Sequence, residues 1–155
     1  MTTAARRNTV HADSAPSIPR LHLNPTLSRR TLLDGGWWPR STDPVAELPG
    51  LILALDGHRG SVTHLMLSRA GWDHHPRRLG MASRVIRLGW FTSQPAGLLT
   101  AACGNHAQID LLVVPPDTPT ASALAAMAVA ADPANTIHAP DILATMTPLT
   151  AGRPS

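Results

Sequence analysis

The chain predicts an α+β fold: an antiparallel sheet of about five strands, two helices packed on one face, and tails at both ends. The order of elements is strand, helix, three or four strands, helix, which segregates helices from most strands. The strand-length apolar runs follow one another through short connections, and short connections favour antiparallel pairing. Hydrophobic residues make up 43% of the 155 residues while aromatic residues make up only 3%. The core is therefore aliphatic, built of Leu, Val, Ile, Ala and Met, and of a size for one domain.

The elements follow in order. Residues 1–19 are polar and small, with Pro16 and Pro19 at the end. They bury too little apolar surface to offset ordering entropy and predict a disordered tail. Arg20-Leu21-His22-Leu23 alternates and meets Pro25, so a short strand is expected there. Thr26 to Ser41 contains Gly35-Gly36 and Pro39 and reads as a long ordered loop. Asp43 is a natural N-cap with Pro44 at the first helical position, and Val45, Leu48, Ile52 and Leu55 fall at helical spacing. Pro49 lies inside this stretch and predicts a kink or a split; Asp56-Gly57 predicts the end.

Ser61 to Leu67 alternates, with Val62, His64 and Met66 on one face, and reads as a strand. A polar connection around Trp72 follows. Arg84 to Phe91 is the next strand, with Arg84, Ile86, Leu88 and Trp90 forming its mostly apolar face and Arg87 lying opposite. Gly97 to Cys103 and Gln108 to Val114 are two further strands joined by a hairpin at Gly104-Asn105. Pro115-Pro116 stops the last of them. Thr118 as N-cap and Pro119 at the first helical position open an Ala-rich helix that runs to Ala131. Residues 132–155 hold four prolines and predict a flexible tail with at most one helical turn near Ile142. The domain is thus assigned to residues 20–131.

Composition narrows the function classes. Every basic residue is Arg, Glu47 is the only Glu, and the net charge is +3, the composition of a GC-rich genome. A dedicated DNA-binding domain gathers more charge on one face, so the balance does not call for nucleic acid, without closing that route. Cys103 is the only cysteine, which rules out an intrachain disulfide and a cysteine zinc site. No apolar run approaches the ~20 residues that cross a bilayer, and Arg6-Arg7 are not followed by a signal-peptide apolar region. A cytoplasmic location with no membrane partner is the expectation.

The densest group of chemistry-bearing residues is Ser28 to Ser41, with Arg29, Arg30, Asp34, Trp37, Trp38 and Arg40. Guanidinium forks bind carboxylate or phosphate, an indole face stacks on a ring, and the following helix N-terminus adds N–H donors. Gly35 and Gly36 would let the backbone approach a ligand. The competing reading is structural: the indoles cap the core edge and the arginines pair with Asp34 or Asp43. The run is no phosphate loop, because the Gly-Lys-Ser/Thr element is missing.

Three other groups carry weaker signals. Asp73-His74-His75 suggests a metal site, but adjacent side chains diverge and no third ligand is placed nearby, so no metal and no cofactor are assigned. Cys103, His106 and Asp110 stand in an order that invites a nucleophile and base, yet a Cys ending an apolar strand is usually a small buried hydrophobe. His64 on a strand face is most simply a packed or solvated histidine.

Several segments together resemble a known family. They are Arg20 to Leu23, the run Leu33-Asp34-Gly35-Gly36-Trp37-Trp38-Pro39-Arg40-Ser41, Glu47-Leu48-Pro49, Arg84 to Phe91, and Asp110 to Pro116. In these the chain is similar to a family of small actinobacterial proteins catalogued only as domain of unknown function 5994. The resemblance runs from about Arg20 to Ala131. It implies an actinobacterial source and a common design for the Trp-Trp loop, and it carries no activity, cofactor or catalytic residue. Relatives are longer between Gly97 and Gln108, which leaves the hairpin register open.

The functional expectation is a non-catalytic binding or regulatory module, with the Trp/Arg loop holding an anionic small molecule or a protein partner. Dimerisation through an exposed edge strand is a further expectation. Two alternatives stand beside it. One is a small enzyme whose residues converge only in the fold, with Asp34, His64, Cys103 and His106 as candidates. The other is a purely structural or assembly protein.

Overall fold

A computed structural model describes residues 9–11, 18–24, 33–81, 84–95, 97–104, 107–132, 134–135 and 137–146. Eight strands form a single sheet: β1 (Thr9–His11), β2 (Leu21–Leu23), β3 (Gly35–Trp37), β4 (Val62–Ser68), β5 (Arg78–Met81), β6 (Arg84–Phe91), β7 (Leu98–Cys103) and β8 (Gln108–Val113). Their order across the sheet is β1-β5-β6-β4-β7-β8-β3-β2. The helices are α1 (Pro44–Arg59), α2 (Thr120–Ala131) and α3 (Ala139–Met146).

The α+β class holds, and the expected antiparallel sheet of five strands does not. The sheet is mixed: β1/β5, β3/β8 and β4/β6 are parallel, and the other neighbours are antiparallel. As a result β3, β4, β6 and β8 run one way and the remaining strands the other. None of the parallel pairs is consecutive in the chain: β4 reaches β6 through β5, and α1 carries the chain from β3 to β4, which point the same way with β7 and β8 between them.

Two of the extra strands had no readable alternation. Gly35–Trp37 was expected to be loop because of its glycines, yet it is buried between β8 and β2, whose ladders supply its hydrogen bonds. Arg78–Met81 pairs with β6, with Leu79, Gly80 and Met81 buried. In β4 a register shift between Val62 and His64 breaks the simple alternation. Val62, Leu65 and Leu67 are buried, while His64 is exposed.

The helices also depart from expectation. Asp43 caps α1, its carboxylate accepting from the Val45 N–H at 3.0 Å. Pro49 neither splits nor ends the helix, because Leu48, Leu51, Ile52 and Leu55 anchor the turns around it in the core. Asp56-Gly57 does not stop it either. The Asp56 carboxylate accepts from Val62 N–H and pairs with Arg84, and the helix ends at Gly60, whose φ is 98°. α2 begins at Thr120, one residue later than expected, with Pro119 as N-cap. The region after Ala131 is not simply a tail, since α3 buries Ala139 and Ile142 in the core. Residues 147–155 lie outside the described residues, as do 1–8 and 12–17.

The helices do not share one face. α1 packs with Trp37, Leu65, Leu67, Ile86, Leu99 and Leu111 in one core. α2 and α3 pack with Leu33, Trp38, Leu112 and Val114 in a second core on the opposite face. Leu111 and Leu112 are neighbours on β8, and strand alternation sends one to each side. Gly36 makes the second core possible: a Cβ there would lie 2.8 Å from the Met127 Cα of α2. Gly35 serves β2 in the same way, because a Cβ would strike the His22 carbonyl. Both glycines admit protein backbone, not the ligand expected of them. Both sheet edges are strands of three residues, and such short edges offer little for another chain to pair with.

Candidate functional site

The Trp-Trp segment is spent on packing. Trp37 is 1% exposed and Trp38 is 6% exposed, so neither indole is presented to solvent. They are adjacent in an extended segment and enter opposite cores. Trp37 stacks on Trp72, with ring centroids 5.9 Å apart and planes 20° apart. Trp38 donates its indole N–H to the Pro116 carbonyl at 3.3 Å.

The guanidinium that faces Trp38 is that of Arg20, which was not a candidate. Its Cζ lies 3.7 Å from the ring centroid, and its Nε and Nη2 donate to the Trp38 and Pro39 carbonyls at 2.9 and 2.8 Å. Burial, and after it the neighbouring Arg40 charge, lower the Arg20 pKa, with Glu47 pulling the other way. Arg40 itself is exposed and donates to the Ile18 carbonyl at 2.7 Å. Arg29 and Arg30 lie outside the described residues. Asp34 sits at the start of β3, where its carboxylate accepts from the Asp110 N–H at 2.8 Å.

The segment that follows the tryptophans does reach a site. A cleft of about 560 Å³ opens at the carboxyl ends of β3, β4 and β8. Pro39, Ser41 and Thr42 form one wall, and Val113 with Pro115 and Pro116 forms another. Leu67, Leu98, Trp72 and Leu143 complete the apolar lining. Glu47 holds the first wall in place. Buried in α1, its carboxylate accepts from the Arg40 backbone N–H and the Ser41 hydroxyl, both at 2.9 Å. Thr42 donates to Asp73 at 2.6 Å, which ties this wall to the loop that carries Trp72.

The lining is mainly apolar, and its polar groups are Ser41, Thr42, Ser68 and Asp117. Three of these already have partners: Ser41 and Thr42 as above, while Ser68 accepts from the Ala70 N–H at 3.2 Å. Among the described residues, neither His nor Cys lines the cleft. Such a space takes an apolar or aromatic group and directs any polar end toward its rim.

The enzyme candidates are not brought together. Cys103 is buried in the first core, whereas His64 is exposed and bonded to Thr63 at 3.0 Å. His106 lies outside the described residues. Asp73, His74 and His75 each take a different partner: Thr42, Asp43 and the Arg69 carbonyl. No metal-ligating group of three or more forms among the described residues.

Sequence reading missed the cleft because its walls come from segments far apart in the chain. Trp72, Pro115 and Pro116 were visible only as loop and strand-stop residues. No described helix is long and apolar enough to cross a membrane. A family model described as a family of unknown function (DUF5994) matches residues 20–130, which span β2 through nearly all of α2. No curated protein and no solved structure matches the chain.

Proposed function

We propose that this chain, which belongs to the family of unknown function DUF5994, is a non-catalytic binding module whose ligand is a small apolar or aromatic molecule seated in the cleft beside Trp72. The observation that carries this reading is the cleft itself. It is of ligand size, largely apolar, and walled by the Pro39–Thr42 segment that Glu47 holds in place. The ligand class therefore moves from the anion first expected to an apolar group, because the indoles that were to flank an anion are buried.

The non-catalytic character rests on the lining. Acyl or phosphoryl transfer needs a nucleophile, a base within hydrogen-bond reach and donors aimed at the developing charge. Here the Ser41 and Thr42 hydroxyls are committed to Glu47 and Asp73, and among the described residues no histidine lines the space.

The test is a thermal-shift screen of apolar and aromatic fragments against the wild-type chain and Ala70→Trp, an exposed rim position where an indole would fill the cleft. A ligand present at 100 times its Kd adds about 2.7 kcal/mol and raises the melting temperature by several degrees. Compounds that stabilise the wild type and leave Ala70→Trp unmoved support the proposal. A screen in which none does so, or in which both proteins respond alike, ends it.

A further inference from the structure

We infer that a second site lies at the open edge of β6 and takes a phosphorylated ligand carrying a planar ring, a nucleotide either free or within a single strand. β5 stops at Arg78, which pairs with Arg87. Beyond that point the Leu88 N–H bonds to the Arg77 carbonyl at 2.8 Å, and the segment from Arg69 to Arg77 curls over the strand end. The notch so formed has a volume of about 390 Å³.

Its charge is of one sign. Arg69, Arg77, Arg78 and Arg87 all line it, and among the described residues none of the four is in an ion pair. The carboxylates nearest along the chain are engaged elsewhere, Asp56 by Arg84 and Asp73 by Thr42. Arg78 and Arg87 stand directly opposite one another across an antiparallel pair, an arrangement that costs stability when nothing lies between. His64 is the register partner of Arg87 on its other side, so no acid relieves the charge there. A bound phosphate would, because guanidinium forks match its oxygens two at a time.

An anion alone does not account for the aromatic groups. Phe91 is 45% exposed, and its ring lies over Gly89, where a Cβ would sit 2.7 Å from it. Arg87, Gly89 and Phe91 share one strand face, which sets the ring beside a guanidinium. Trp90 turns to the other side and is fixed there: His75 meets its ring edge-on at 4.9 Å, and its N–H donates to the Pro76 carbonyl at 2.7 Å. The His75 Nε2 in turn donates to the Arg69 carbonyl. What the notch offers is guanidinium donors and the exposed Phe91 ring, which together suit a base stacked beside its phosphate. This surface is chemically unlike the apolar cleft on the far side of Trp72.

The experiment is calorimetric titration of the full chain at low salt with four probes: a nucleoside diphosphate, pyrophosphate, a short single-stranded thymidine oligomer and a poly-glutamate peptide. We expect the diphosphate, the oligomer or both to saturate, with pyrophosphate and poly-glutamate at least tenfold weaker. Saturation by the oligomer alone assigns a strand, and by the diphosphate alone a free nucleotide. Arg78→Ser with Arg87→Ser should weaken binding on the order of tenfold or more and flatten its salt dependence. Phe91→Ala should weaken the ring-bearing probes only. Failure of both ring-bearing probes overturns the inference. So does pyrophosphate or poly-glutamate binding as tightly as they do, or unchanged affinity in the folded double-arginine and Phe91→Ala variants.

Discussion

Over β8, β3 and β2 the second face of the sheet is roofed by α2 and α3, whereas over β4, β6 and β5 the same face carries exposed Val85, Arg87 and Phe91. The residues at the two places obey the same alternation and differ only in what lies above them. In the roofed half Trp38, Leu112 and Val114 are sealed beneath Ala123, Ala126, Met127 and Ala130. In the open half arginines face solvent without carboxylate partners among the described residues. One half of the face is spent on packing and the other is open to solvent.

Substitutions break this comparison in graded ways. The largest effect is expected for Trp37→Ala, which empties a fully buried indole site and should cost ~3–5 kcal/mol in chemical denaturation. Phe91→Ala, the matching aromatic truncation in the open half, should stay within about 0.5 kcal/mol. If the two cost the same, the open half is covered in solution.

The next effect comes from two glycines. Gly36→Ala drives a methyl against the Met127 backbone of α2 and should cost ~1–3 kcal/mol. Gly89→Ala meets only the end of the exposed Phe91 ring, which can swing aside, so the loss should be under about 1 kcal/mol. A costlier Gly89→Ala would mean that Phe91 is pinned.

Arg20→Lys should follow, at about 1–2 kcal/mol. An ammonium cannot hold the Trp38 and Pro39 carbonyls together while lying over the indole. An unchanged denaturation midpoint would show that charge alone suffices there. The smallest effect has the opposite sign. Arg87→Thr removes a like charge opposite Arg78 and should stabilise by a few tenths of a kcal/mol at low ionic strength, a gain that fades as salt screens the pair. Destabilisation at low salt would show that Arg87 already has a partner.

Much of the frame was legible. β2 and β6 fall where alternation places them, β7 and β8 where apolar runs of strand length do, and α1 starts at its Asp-Pro signal. What escaped was structure imposed from outside the segment. Gly35-Gly36 carries no strand propensity and becomes β3 because β8 and β2 flank it. α3 holds because Ala139 and Ile142 find the second core. The candidate site was only partly legible: the Trp-Trp segment leads into the cleft wall, but its rings do not line the cleft.

The sequence by itself determined the α+β class, most strand positions and the aliphatic cores, because periodicity and capping act over a few neighbouring residues. Tertiary structure alone decided that the sheet is mixed and roofed unevenly, that both tryptophans are interior, and that four arginines from β4's exit, β5 and β6 share one notch. Those outcomes depend on which distant segments meet, and local spacing carries no record of the partner across the gap.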